Sequence, residues 1–297
     1  MSKEDRRDYR FLTLSALLLS ASGLLGACAS SIGAAQGTAA LTRIAQTQTL
    51  KLGYREDAMP FSFKDADGKP AGYSVELCQR VASSLQSQLK LARLDVQWVP
   101  VTASNRMQAV SEGRVDVECG STTRTLSREA TVDFSNAIWV EGASFITQAS
   151  STTARVSDLN GKRVGVIPGT TTEGVLKSLA ARGISPIFVS MQSHTDGVAA
   201  VRDGRVDAYA TDRLILTGEV LGRPSSVALK LSDDYLSMEP YSLMMRRDPD
   251  LRLAVNRALA EIYRSGEIVK VFRSSFPAGA SPSPLVEAVY VLNALPE

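Results

Sequence analysis

The amino-acid sequence predicts an α/β fold of two similar lobes joined by two extended strands. Strand-like and helix-like segments alternate from about residue 50 to residue 221, the pattern of layered α/β domains. "EGRVDVECGSTTR", from residue 112, returns as "DGRVDAYATDR", from residue 203, each placing a helix-ending Gly before a strand with a polar end. Two extended apolar stretches, residues 144–149 and 241–246, flank the second α/β run, as expected of strands that cross between lobes.

The N-terminus differs in kind. Arg6, Arg7 and Arg10 precede "FLTLSALLLSASGLL", an apolar run too short to favour a spanning helix, followed by small residues. This is the pattern of an export signal over residues 1–27. Leu25-Gly26-Ala27-Cys28 resembles a bacterial lipobox, in which Cys28 would carry a lipid; the alternative is a cleavage site a little later, with Cys28 discarded. No second apolar stretch of spanning length follows, which argues against a channel or a membrane receptor. Residues 28–47, rich in Ala, Ser, Thr, Gln and Gly, read as a flexible tether.

The first lobe is expected over residues 48–143 plus 247–276. Leu50 to Tyr54 is an apolar strand, and "FSFKDADGKPAGYS" reads as two short strands about a turn at Asp67-Gly68. Ser74 is placed to cap a helix through about Lys90, with Val75, Leu77, Cys78, Val81, Leu85 and Leu89 at helical spacing. A strand over 94–99, a helix over 104–111 and a strand over 115–119 complete this run. The second lobe, residues 150–240, repeats it with strands over 163–167, 186–190 and 206–210 and helices over 171–182, 194–203 and 213–221. A helix over 249–264 returns to the first lobe, and residues 277–297 form a Pro-rich tail and a last helix.

Composition excludes some function classes. With 33 Lys and Arg against 31 Asp and Glu, net charge +2, the chain offers no massed basic surface for nucleic acid. There is one His, no HExxH, no CxxC, no Gly-rich phosphate loop and no GxSxG, so neither a metal nor a cofactor is expected. If Cys28 carries lipid, Cys78 and Cys119 remain, either as a disulfide in an oxidising compartment or as two buried thiols.

Ligands of α/β sheets bind at the carboxyl ends of strands, and a cleft between two lobes is the natural place. The polar residues after the two similar strands would face each other there. Arg55 ends the first strand, Arg106 opens a helix in "VTASNR" and Arg128 follows the hydroxyl-rich burst; planar guanidinium groups match carboxylates through paired hydrogen bonds. Thr170 and Glu173 form a capping-box pattern, and Ser193 and Asp196 a similar one that puts His194 in a first helical turn. The site is therefore expected to receive something small, polar and anionic.

At these residues the sequence resembles the glutamate/aspartate-binding members of the periplasmic solute-binding proteins that serve ABC importers. The resemblance runs from "LKLGYREDAMPFSF" through "GYSVELC", "VTASNR", "GRVDVECGSTTRTLSR", "GTTTEGVL" and "HTDGVAAVRDGRVDAYATDRLILTGE" to "PYSLMMRRDPDL". It implies the type II periplasmic binding protein fold, two α/β lobes that close on an amino acid. It also implies that Arg128, Ser121 and Thr123 hold the α-carboxylate, that Asp212 holds the ammonium, and that Arg55 and Arg106 clamp the side-chain carboxylate with Thr171 and His194. Where close relatives carry Ser, this chain has Ala103, which leaves the choice between L-glutamate and L-aspartate open. Three arginines and Asp212 give +2, suited to a ligand with two carboxylates and one ammonium. The implied partner is a membrane permease, the implied state a monomer in the periplasm, anchored only through Cys28. Two other readings stand beside it: an exported dehydratase-type enzyme on the same scaffold, with Glu118, Glu173 or His194 as acid, and a sensory subunit.

Overall fold

The computed structural model describes residues 39–297; the expected signal segment and Cys28 lie outside the described residues. The described chain opens on a helix, α1 (Ala39–Thr47), which corrects the expected tether: residues 39–47 are not a flexible leader. Ala40 and Ile44 fall one helical turn apart and are both buried, and the Ala40 amide donates to Asp248 Oδ2 (3.2 Å).

The first half continues with β1 (Thr49–Tyr54), β2 (Asp57–Ala58), β3 (Ser62–Lys64), β4 (Pro70–Ala71), α2 (Tyr73–Gln88), β5 (Asp95–Pro100), α3 (Arg106–Ser111), β6 (Val117–Glu118) and α4 (Leu126–Glu129). β1 pairs in parallel with β5 and β6, so their carboxyl ends share one edge. Ser74 does not cap α2. Gly72 occupies that place at φ 112°, where a Cβ would meet the Phe61 carbonyl oxygen at 2.6 Å, and Ser74 is carried inside the helix and buried. α3 also starts later than expected, because Thr102 and Asn105 bond each other's amides in a turn ahead of it. Cys78 of α2 and Cys119 after β6 are joined in a disulfide with Cα atoms 6.2 Å apart.

β7 (Asp133–Gln148) then carries the chain into the second half: β8 (Arg163–Val166), α5 (Thr171–Ser178), β9 (Ile187–Ser190), α6 (His194–Arg202), β10 (Ala208–Asp212), α7 (Arg213–Gly222) and β11 (Leu229–Leu231). β12 (Ser237–Met245) returns, followed by α8 (Pro249–Arg264), α9 (Ile268–Ser275) and α10 (Pro284–Asn293). One nine-stranded sheet runs through both halves in the order β5-β1-β6-β12-β7-β10-β8-β9, with β11 on β7.

β7 and β12 are antiparallel neighbours from Met245↔Asp133 to Ser237↔Ala143. Ser144 to Ile146 already pair with β10, whereas Met244 and Met245 pair with β6. The passage between halves therefore falls near Val140–Gly142 and Met238–Pro240, a few residues ahead of the segments 144–149 and 241–246.

Each half has its own core. Leu52, Leu77, Val81, Trp139, Tyr241, Leu259 and Phe272 belong to one buried cluster that also holds Ile44 and Val286, so α1 and α10 both pack on the first half. Ile146, Val198, Val201, Tyr209 and Leu216 form another in the second half.

Candidate functional site

Arg55 directly follows β1 and is 1% exposed. Its amide donates to Ser62 Oγ (2.9 Å) and its Nη2 to Asp57 Oδ1 (2.7 Å), while Nε has no partner. Arg106, the first residue of α3, is 4% exposed; its Nη1 donates to the Ser121 carbonyl (3.4 Å) and its Nε is again unpartnered. Burial lowers the Arg106 pKa to about 10 despite the opposing field of Glu118, with Arg128 and Arg55 pushing the same way as burial. Two buried guanidinium groups with unused donors are a standing demand for an anion.

The hydroxyl-rich turn between β6 and α4 is held by its neighbours. Arg124 and Ser242 make backbone bonds that tie it to β12, and Thr122 Oγ1 donates to Glu118 Oε2 (2.7 Å). Ser121 and Thr123 are thereby buried at fixed places. Gly120 leaves room there for the Glu118 carboxylate: a Cβ would lie 2.1 Å from Glu118 Oε1 and 3.2 Å from Arg55 Cγ, so that side chain would have to shift.

Arg128 lies in α4, whose N-cap, Thr125, accepts the Arg128 amide. Its Nη1 donates to the Thr123 carbonyl (2.8 Å) and its Nη2 to the Gly169 carbonyl (3.2 Å), so one side chain spans both halves. Burial lowers its pKa against the pull of Glu239, Glu118 and Asp212. Thr123 Oγ1 and Thr171 Oγ1 stand 3.4 Å apart across the same junction.

In the second half Thr170 caps α5 as expected, but Glu173 accepts from the Gly169 amide rather than from the Thr170 amide of a capping box. Thr170 accepts the Glu173 amide (3.2 Å), and Glu173 Oε2 accepts the Gly169 amide (2.8 Å). The Gly169 amide is consequently taken and is not among the donors left for a ligand.

His194 opens α6 behind its Ser193 cap. Its Nδ1 is 2.7 Å from the Tyr209 hydroxyl, and its amide donates to Asp57 Oδ2 (2.9 Å). Burial, reinforced by Arg55 and Arg106 against Asp57, lowers its pKa to about 3, so the ring is neutral. Asp212 ends β10 at 8% exposure with Oδ1 unpartnered. Burial and the neighbouring Glu239 raise its pKa to about 7.

Of the expected residues, Arg106 and Ser121 touch, Arg128 and Thr123 touch, and Thr123 meets Thr171. Arg55 and His194 are linked only through Asp57. Asp212 faces Arg106 and Arg128 without a bond to either. Sequence reasoning missed Asp57 and Glu239, and treated Glu118 only as a candidate acid. Arg55, Arg106 and Arg128 are thus surrounded by Asp57, Glu118, Asp212 and Glu239, and the +2 obtained from three arginines and Asp212 is not the charge of the site. Asp57 had a local signal, lying two residues from Arg55 in a strand; Glu239 had none.

Among the described residues no group of three His, Cys, Asp or Glu is placed to hold a metal, and no helix is long and apolar enough to cross a membrane. Two α/β halves sharing one sheet, with buried arginines and hydroxyls at their junction, define the class of two-lobed amino-acid-binding proteins. The chain belongs to the bacterial extracellular solute-binding proteins, family 3, whose pattern matches residues 50–278. It is 32% identical over 257 residues, 84% of this chain and 83% of the relative, to an L-glutamate/L-aspartate-binding protein of Pseudomonas aeruginosa. Among solved structures it is similar to an ancestral arginine-binding protein bound to arginine: 27% identity, TM-score 0.70, covering 77% of this chain and 99% of that one. It is also similar to an ancestral amino acid-binding protein described as a precursor of cyclohexadienyl dehydratase: 26% identity, TM-score 0.69, covering 80% of this chain and 100% of that one. The named relatives are binding proteins rather than enzymes.

Proposed function

We propose that this protein captures acidic amino acids, L-glutamate or L-aspartate, outside the cytoplasm and delivers them to the membrane permease of an ABC importer. Arg128, Ser121 and Thr123 take the α-carboxylate, Asp212 the ammonium, and Arg55 and Arg106 the side-chain carboxylate, with Thr171 and His194 closing from the second half. The carrying observation is the pair of buried guanidinium groups, Arg55 and Arg106, each with an unpartnered Nε. A carboxylate satisfies such donors, whereas a neutral side chain leaves them short. The name of the Pseudomonas relative supports the same ligand class.

The dehydratase-type alternative is weakened by what its acids do. Glu173 is engaged by the Gly169 amide and Lys177, and His194 is neutral with Nδ1 against Tyr209. In this reading Cys28 carries the lipid that keeps the receptor near the permease, and the closed lobes are what the permease recognises. Calorimetric titration of ligand-stripped protein with glutamate, aspartate, glutamine and arginine is the test. Binding of glutamate or aspartate in preference to the other two is expected; tight binding of arginine or glutamine with neither acidic amino acid would overturn it.

A further inference from the structure

Asp57 sits at the opening of β2, two residues past Arg55, and its backbone is fixed by pairing with Phe63. Its side chain is 17% exposed. Both carboxylate oxygens are committed, one to each half: Oδ1 accepts from Arg55 Nη2 (2.7 Å) and Oδ2 from the His194 amide at the start of α6 (2.9 Å). The two residues it engages are both among those assigned above to a ligand's side-chain carboxylate. Asp57 therefore does from within the protein part of what the ligand is expected to do. Burial pushes its carboxyl up, but the Arg55 guanidinium and the bond from the His194 amide outweigh this and hold it below its ordinary value, so it is charged. Tyr209 of β10 and Glu219 of α7 face it as well, and neither brings a positive charge.

We propose that Asp57 is a specificity-determining residue: by occupying Arg55 and the α6 amide it removes one unit of positive charge from the place offered to the ligand's side chain. Asp57 thus takes one unit from the +2 that Arg55 and Arg106 bring to that place, while Glu118 acts on Arg106 beside it. The inference rests on the acidic-amino-acid reading only for which ligand is native. The charge ordering it predicts holds whichever amino acid binds best.

The test is calorimetric or competition titration of the purified protein and of Asp57→Asn with glutamate, glutamine and arginine, whose side chains carry −1, 0 and +1. Asp57→Asn keeps the shape and an acceptor for the His194 amide. It should tighten glutamate roughly tenfold, leave glutamine within about twofold, and weaken arginine roughly tenfold, the scale of one partly screened charge at this depth. Asp57→Ser, which also removes the bridge between halves, should show the same ordering on top of a uniform loss, and it replaces Asp57→Asn if that variant fails to fold by thermal melting. Equal shifts for all three ligands would make Asp57 merely structural and overturn the proposal, as would no shift or the reverse order. If the unmodified protein ignores glutamate and binds arginine, the acidic-amino-acid reading falls, and the ordering in the variants still decides the role of Asp57.

Discussion

Arg128 is the arginine of the site whose guanidinium directly bonds both halves, so its removal should be felt by every ligand regardless of side chain. Nη1 and Nη2 each reach a carbonyl, of Thr123 at 2.8 Å and of Gly169 at 3.2 Å. That leaves the planar group oriented along the junction, where an α-carboxylate can receive two parallel N–H bonds. A hydrogen bond to a charged group contributes about 1.5–3 kcal/mol, so the loss of two in Arg128→Ala should cost roughly 3–6 kcal/mol of binding, or about 10²–10⁴-fold in affinity. Isothermal titration with glutamate, aspartate and glutamine measures it, with thermal melting to confirm that the half-buried position leaves the fold intact. Arg128→Lys should recover only part of the loss, since one ammonium does not reproduce the fork. A uniform loss of less than about threefold, or a loss confined to acidic ligands, would refute the assignment of Arg128 to the α-carboxylate.

Arg106→Ala should chiefly erase the preference for glutamate over glutamine, by roughly 10- to 150-fold for one charged bond, and titration of both ligands shows it directly. Binding should also depend on pH through Asp212, whose pKa burial and Glu239 raise to about 7. The ammonium of a ligand favours the ionised carboxylate, so affinity should fall as pH drops below about 7, by up to about tenfold per unit, and flatten above it. Titrations in buffers of different ionisation enthalpy should detect proton release near pH 7, and Asp212→Asn should abolish it. Reduction of the Cys78–Cys119 disulfide, which spans 41 residues, should lower unfolding free energy by about 4 kcal/mol on the chain-entropy view, measurable by urea unfolding with and without reductant.

The elements that the sequence made legible are those whose causes are local. The start of α5 needs only Thr170 and Glu173, four positions within one turn, and its Thr170 cap forms as its residues imply, with Glu173 reaching one residue further back to Gly169. The repeated strand ends were legible in outline because the polar residues after β6 and β10 mark a carboxyl edge in any α/β layer. α1 was not, because Ala40 and Ile44 acquire their apolar role from a core whose partners include Leu251 and Val255, two hundred residues on. The length of β7 was hidden for a similar reason. Asn136 and Glu141 interrupt its apolar pattern, and only pairing with β12 and β10 shows that the strand continues through them. The arginines stood out by residue type and by the likeness to known binding proteins. Their carboxylate neighbours did not, since Glu239 comes to the junction along β12, and a charge is read correctly only beside its counter-charge.

Both ends of the described chain are fastened to the first half, by α1 at one end and α10 at the other, while the second half is an excursion entered along β7 and left along β12. A body held at one point can swivel; held at two adjacent, hydrogen-bonded points it retains essentially one way to swing. The search for the shut arrangement then runs along a single coordinate instead of three, and little orientational freedom remains to be surrendered when a small molecule is trapped. A snug grip on a solute of about ten heavy atoms becomes attainable because most of the alignment was settled when the chain folded.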